Sequence, residues 1–476
     1  MAGRRSHRKA VLWSVTGVLA LILLAGAATY YRLDGNLRIF DGGALSPDRP
    51  AAAGPDADGR TPVNVLLIGS DSRDGANRDL GGGEESGARS DTTVLLHVYA
   101  DHRHAVGVSV PRDSLVDVPA CRLPDGSWTR PRSGVLFNSA FEVGGAEQGN
   151  PACTQNTVEK LTGLRVDHTI VVNFAGFAAM TSAVGGVEVC LPKAVHEGDL
   201  NPNLGRPGRL LFGQGKQKVQ GQSALDYVRL RHGIGDGSDI GRTKRQQAFL
   251  GSLLRQVKGV GMNPTTLLPL ADAATGSLLV DPGLGSAAKL LSFALSLRDI
   301  ELRDARFLTV PWRYEGSRVA LAQPDAGQLW AALRADRRLD GSDDAGGPSP
   351  DSRGVSLAVR NAAGTAGLAA RAAERLEAEG YTVSDRADSA PTTRAVTVVR
   401  HGPGQAQSAR EVAGLFPGAV LESVDEPGLV LLLGRDFAKA SPSPSPSAPP
   451  TGRLPASVTA AGRSAADDPC TDLSYG

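Results

Sequence analysis

Aromatic residues make up only 5% of this chain of 476 residues, and it carries only 4 Cys, 3 Met and 8 His. That scarcity, beside 58 Gly and 30 Pro, excludes one large continuous core and puts much of the chain in turns and linkers. At this length two or more folded units are expected. Neither the four cysteines nor the scattered histidines show CxxC or related spacing, which excludes a zinc site of the usual kind. No GxSxG segment occurs, so a hydrolase-type serine elbow is excluded. A formal net charge of +1 gives no global field toward nucleic acid or an anionic surface. Anion recognition must come from local clusters.

What is present begins at the N-terminus. Arg4, Arg5, Arg8 and Lys9 precede an uncharged run from Ala10 to Tyr31. As a helix that run reaches roughly 33 Å, enough to cross a bilayer. Trp13 and Tyr30–Tyr31 suit its two interfaces, and the basic cluster predicts a cytoplasmic N-terminus. Ala25-Gly26-Ala27 resembles a signal cleavage site, but the apolar run is long for a signal peptide. The expected topology is a cytoplasmic 1–9, a single transmembrane helix over 10–31 and a polar extracellular linker over 32–60, too turn-rich to pack. The chain is then a membrane protein with its bulk outside the cell.

Short apolar runs, Val63–Gly69, Thr92–Tyr99, Ala105–Val110, His168–Asn173 and Val187–Leu191, read as buried strands. Helical patterns over Thr154–Leu161, Phe174–Val184 and Gly241–Val257 interleave with or follow them. The pattern predicts a layered α/β domain over 61–338. Residues 339–354 are a linker by composition, and 355–437 alternate strand and helix as a small α+β domain. The Pro/Ser-rich 438–476 reads as a disordered tail. Outside the membrane, Cys121 and Cys153 are a candidate disulfide, Cys190 a buried strand thiol, and Cys470 lies in the tail.

Asp and Arg residues recur at the strand ends, where α/β domains place ligands. They are Asp71 and Arg73, Arg89 and Asp91, Arg112 and Asp113, then Arg229 and Arg231, and Asp239, Arg242, Arg245 and Gln246. On a strand Arg229 and Arg231 would share a face, and on a helix Arg242 and Gln246 would. Guanidinium forks match phosphate oxygens in pairs, and carboxylates are hard ligands for magnesium. The combination points to a pyrophosphate site with a divalent metal.

The segments NVLLIGSDSR, RSDTTVLLHV, GVSVPRDSLVDVP, FNSAFEVGG, TVEKLTGLRVDHTIVVNFAGF, GGVEVCLP, ALDYVRLRH and DIGRTKRQQAFL follow in this order over roughly 61–335. Together they resemble the LytR–CpsA–Psr family, and 355–437 resembles the accessory C-terminal domain of some members. The resemblance implies an α/β/α domain with a central mixed sheet and an extracytoplasmic phosphotransferase. Such an enzyme moves a glycopolymer from a polyprenyl-pyrophosphate carrier to peptidoglycan, leaving a phosphodiester. It implies magnesium, or manganese, on Asp71 and Asp91. It also implies pyrophosphate on Arg73, Arg112, Arg229, Arg231 and Arg242 with Gln246 beside them, and Asp113 near the metal or holding Arg112. The expected catalytic set is Asp71, Arg73, Asp91, Arg112, Asp113 and Arg242. Expected partners are the carrier-linked glycopolymer, peptidoglycan and membrane lipid, with no nucleic acid. A pyrophosphate hydrolase and a non-catalytic glycan-binding scaffold are the alternatives. A departure from the family pattern is the insert GANRDLGGGEESGA between Asp71 and Asp91.

Overall fold

A computed structural model describes residues 2–471 and 473, apart from 57, 72–88, 146–148, 201, 231–233, 235–236, 262, 317, 340–355, 366, 379–380, 388–392, 404, 406–407, 410–411, 414, 417, 440–453 and 460–461. Within the first helix the side chains of 2–12, 14–15, 18–19 and 22 also lie outside the description. The chain divides into two units, Met1–Leu339 with Pro455–Gly476, and Asp340–Leu454.

The first unit starts with α1 (Ala2–Gly35), which contains the apolar N-terminal run. Among the described residues no helix is long and apolar enough to cross a membrane. The central sheet follows, built from β1 (Arg38–Ile39), β2 (Val63–Ser70), β3 (Ser90–Val98) and β4 (Ala105–Ser109), then β5 (His168–Asn173), β6 (Leu278–Val280) and β7 (Ala305–Thr309). Burial on both faces explains why β2 and β4 read as nearly continuous apolar runs rather than alternating ones. The sheet is mixed: β2 pairs in parallel with β5 and β4 with β7, while β3 runs antiparallel to both β2 and β4.

Helices of this unit include α2 (Pro151–Thr162), α3 (Phe174–Ala183), α4 (Gly221–Arg229), α5 (Asp239–Val260), α6 (Pro264–Thr275) and α7 (Ala287–Ser296). Each start has a local cause. Asn150, Asn173 and Ser238 cap α2, α3 and α5 by accepting from Cys153, Gly176 and Gly241 backbone N–H. One core packs Tyr227, Phe249 and Leu230 with Phe177 from α3. A second packs Val65, Ile170 and Val280 with Met180, Leu290 and Phe293 from α3 and α7.

The second unit carries β8 (Ser356–Asn361), α8 (Leu368–Ala378), β9 (Thr382–Ala387), β10 (Val398–His401), β11 (Val420–Ser423) and β12 (Leu429–Leu433). They form one five-stranded sheet ordered β9-β8-β12-β10-β11. The alanine-rich face of α8, Ala369, Ala372 and Leu376, packs over Leu357, Val359 and Leu431.

Two segments expected to be loose belong to the first unit. The spacer does not hang free: β1 pairs in parallel with β6, and Phe40 is buried. Arg49 then grips Glu159 of α2 at 2.6 Å and the Val166 carbonyl at 2.6 Å. The Glu159 side chain is 3% exposed, so its charge needs that partner. The tail expected to be disordered over 438–476 likewise returns: β13 (Arg463–Ser464) adds to β7, completing the order β1-β6-β5-β2-β3-β4-β7-β13. Its anchors are side-chain specific. Arg255 donates to the Ala465 carbonyl at 2.9 Å, and Lys216 pairs with Asp468 at 2.7 Å. Cys190 is bonded to Cys470 and is not the expected free thiol, while Cys121 is bonded to Cys153.

Candidate functional site

One end of the central sheet gathers the chemistry. Ser70 at the end of β2 lies between Ser90 at the start of β3 and Asn173 at the end of β5. Asp71, Asp91 and the cap of α3 therefore emerge side by side. Ser109 closes β4, and the chain then turns through Pro111-Arg112-Asp113 at the same edge. The first turn of α5 brings Asp239 and Arg242 to it.

Arg112 is the hub. Its Nη1 donates to Asp91 Oδ1 at 2.7 Å, and its Nε lies 3.2 Å from Asp239 Oδ1 and 3.8 Å from Asp113 Oδ1. Arg242, 5% exposed, donates to the same Asp239 Oδ1. Burial works against charge on Arg112, but Asp91, Asp239 and Asp113 outweigh it and raise its pKa above the ordinary value. Asp71 accepts from the Arg89 backbone N–H, and the Arg89 side chain pairs with Glu142 at 2.6 Å. The Arg229 guanidinium sits 4.5 Å over the Phe174 ring. Gln246 donates weakly to the Val228 carbonyl at 3.4 Å.

These groups line one end of a cavity of about 570 Å³. Asp71, Asp91, Arg89, Arg112, Arg229 and Arg242 contribute charge. Most of the remaining wall is apolar, with Phe174, Phe177 and Met180 from α3 and Phe249, Leu250 and Leu253 from α5. The volume lies inside the range of small-molecule pockets, about 300–1,000 Å³. A charged end and an apolar body suit a ligand with an anionic head and a hydrocarbon tail.

Of the expected residues, Asp71, Asp91, Arg112, Arg229, Arg242 and Gln246 line this cavity, and Asp113 neighbours Arg112. Arg73, Arg231 and the insert lie outside the described residues. Arg229 ends a helix, so the shared strand face expected for YVRLR does not exist. Ala224, Leu225 and Tyr227 are buried at helical spacing, and α4 packs on α3. Among the described residues no three or more His, Cys, Asp and Glu group as a metal site, and Asp91 is engaged by Arg112. Asp71 and Asp91 are hard carboxylate donors of the kind magnesium takes, and both line the cavity.

Asp239 carries more than its sequence context suggested. It bridges Arg112 and Arg242, and its Oδ2 is buried with no hydrogen-bond partner among the described residues. Arg89, in the same strand-end set, also lines the cavity. The acidic residue in the first turn of a capped helix was the available signal for Asp239. Burial pushes its carboxyl above the ordinary value, against the pull of Arg242 and Arg112. The folded state then holds this proton more tightly than the unfolded chain does. Its contribution to stability is full below the unfolded value of about 4 and is lost as pH rises through the folded one. Asp239→Asn is expected to flatten that decline in a series of urea midpoints against pH. Parallel curves for variant and parent would contradict the assignment.

An α/β protein with an arginine- and carboxylate-lined strand-end site over an apolar cavity is the class that fold and site define. Residues 43–334 match the model of the LytR_cpsA_psr family, and residues 354–437 match that of the LytR cell envelope-related transcriptional attenuator. The chain belongs to the LytR_cpsA_psr family. It is 30% identical over 467 residues to the cell wall biosynthesis protein LcpA of Corynebacterium glutamicum, covering 90% of this chain and 84% of that protein. It is 29% identical over 263 residues to the polyisoprenyl-teichoic acid–peptidoglycan teichoic acid transferase TagU of Oceanobacillus iheyensis, covering 53% and 72%. Among solved structures, the LytR-Csp2A-Psr enzyme from Actinomyces oris aligns with a TM-score of 0.43 and 18% identity, over 60% of this chain and 96% of that one.

Proposed function

We propose that this protein transfers a glycopolymer from a polyprenyl-pyrophosphate carrier to a peptidoglycan hydroxyl, outside a membrane in which α1 anchors it. The observation that carries the reading is the single cavity that joins four arginines and two carboxylates to an apolar wall. The names of the relatives, cell wall biosynthesis and teichoic acid–peptidoglycan transfer, support it.

The apolar wall takes the first isoprene units, and the pyrophosphate lies against Arg112, Arg229 and Arg242. Asp71 and Asp91 would hold a magnesium ion, which would supply charge neutralisation on the phosphates. The acceptor hydroxyl oxygen forms a bond to the sugar-bearing phosphorus as the bridging P–O bond breaks. The hydroxyl proton is released and polyprenyl phosphate leaves. Such a transfer needs positioning and charge stabilisation more than a covalent catalyst. Arg112 is suited to this because Asp91 and Asp239 hold its plane before substrate arrives.

The test is the full chain in nanodiscs with a polyprenyl-pyrophosphate sugar and peptidoglycan. Polyprenyl phosphate release and glycan linked to peptidoglycan should appear together and stop in chelator. Release without linked glycan would replace transfer by hydrolysis. Binding without release would leave only a scaffold, and full activity in chelator would remove the metal from the mechanism.

A further inference from the structure

Two helices beside α1 expose leucines that the site does not use. On α7, Ala288, Leu291 and Leu295 recur three and four residues apart on the outer side, while Leu290 and Phe293 pack inward. Leu291 is 60% and Leu295 43% exposed. On α6, Leu268 is 52% exposed beside the exposed Pro269. Single exposed leucines need no explanation, but these sit on the two helices against which α1 packs.

The junction with α1 is built from several contacts. Both Asp272 oxygens on α6 accept from Arg32 at 2.9 Å, and Asn36 adds a third bond to Asp272. Asp34 accepts from the Ala287 backbone N–H at the start of α7. Leu268 lies one turn before Asp272, so it shares the helix side that faces Arg32. Tyr30, Tyr31 and Ile39, exposed on either side of the junction, extend the apolar surface. Asp272 is the only charged residue in α6, and Arg32 neutralises it. Lys289 is the only charged residue in α7, and its ammonium suits a lipid phosphate.

We infer that the outer faces of α6 and α7 dock into the headgroup–acyl boundary of the bilayer that α1 enters. This rests on the reading of α1 as a membrane anchor. An anchored helix fixed to α6 and α7 holds their leucines at the membrane surface, where an apolar helix face buries about 5–10 Å deep. The consequence reaches the cavity. Met180 lines it and also packs in the core that holds Leu290 and Phe293 of α7. Docking thus brings the cavity's apolar wall to the leaflet from which a lipid carrier must come.

All four cysteines are disulfide-bonded, so an introduced cysteine is the only free thiol for a spin label. The full chain carrying Leu268→Cys, Leu291→Cys or, on α1, Leu21→Cys is labelled and placed in phosphatidylcholine–phosphatidylglycerol vesicles. Collision with oxygen and with a water-soluble nickel complex is measured, with free label in buffer as reference. Labels at 268 and 291 should favour oxygen several-fold over the aqueous reference, approaching the label at 21. Aqueous values at 268 and 291 with a lipid value at 21 overturn the docking face and leave the anchor intact. Aqueous values at all three overturn both. Lipid values at 268 and 291 with an aqueous value at 21 overturn the proposal as stated, since the face would then reach lipid without α1. Dipolar broadening between labels at 291 on two copies would assign the face to self-association and overturn the proposal.

Discussion

Arg112→Lys is expected to lower turnover about 10²–10³-fold, the loss typical of removing one preorganised donor to a developing charge. Lysine keeps the charge but loses the planar fork. It cannot hold Asp91 through one nitrogen and Asp239 through another while presenting further N–H groups to phosphate. Loss of a group that acts on the transition state should appear mainly in kcat, with a smaller change in KM. The lysine ammonium still balances Asp91 and Asp239, so circular dichroism and the thermal midpoint should stay close to the parent's. Arg112→Ala would leave both carboxylates without that partner in a largely buried setting, and should lose stability as well. A decrease below tenfold in the lysine variant, with the protein folded, would remove Arg112 from the chemistry.

The paired substitution Cys190→Ser, Cys470→Ser is expected to destabilise the first unit by about 2–5 kcal/mol. This disulfide spans 280 residues, against 32 for Cys121–Cys153. A bond across the longer loop removes more freedom from the unfolded chain, though the folded second unit inside it lessens the difference. Without it, residues 463–471 rely on β13, Lys216–Asp468 and the Arg255 contacts, most of them exposed. Exposed ion pairs contribute about 0–1 kcal/mol each. Urea unfolding should therefore show the transition of the first unit moving down while that of the second holds. Proteolysis should also begin near residue 463. An unchanged first-unit transition would mean that β13 and the arginine contacts suffice alone.

Elements held by short-range pattern were legible before any coordinates. The apolar run at Val63–Gly69 matches β2, and those at Ala105–Val110 and His168–Asn173 match β4 and β5. The helical spacing of Gly241–Val257 falls inside α5, with a boundary set by the Ser238 cap. Strand-end placement of Asp71, Asp91 and Arg112 followed from the same pattern, because Asp71 and Arg112 follow strands that stop near Gly69 and Pro111, and Asp91 stands at the start of β3. The error at Arg229 came from treating Arg-Leu-Arg as a period of two without the buried Ala224, Leu225 and Tyr227 that make it a helix end.

The sequence by itself thus determined the layered α/β plan and which end of the sheet bears charge, because hydrophobic periodicity and chain-stopping residues act within a few positions. Tertiary structure alone decided which charges meet. Asp239 joins Arg112 and Arg242, Arg49 joins Glu159 and Cys190 joins Cys470, although nothing near each residue in sequence specifies its partner. The spacer and tail were misjudged for the same reason. Polar and turn-rich composition predicts weak cores of their own, yet Phe40, Ala465 and a few well-placed hydrogen bonds dock them on a surface already folded. A segment that borrows its partners from a distant core carries no local hydrophobic pattern to announce it.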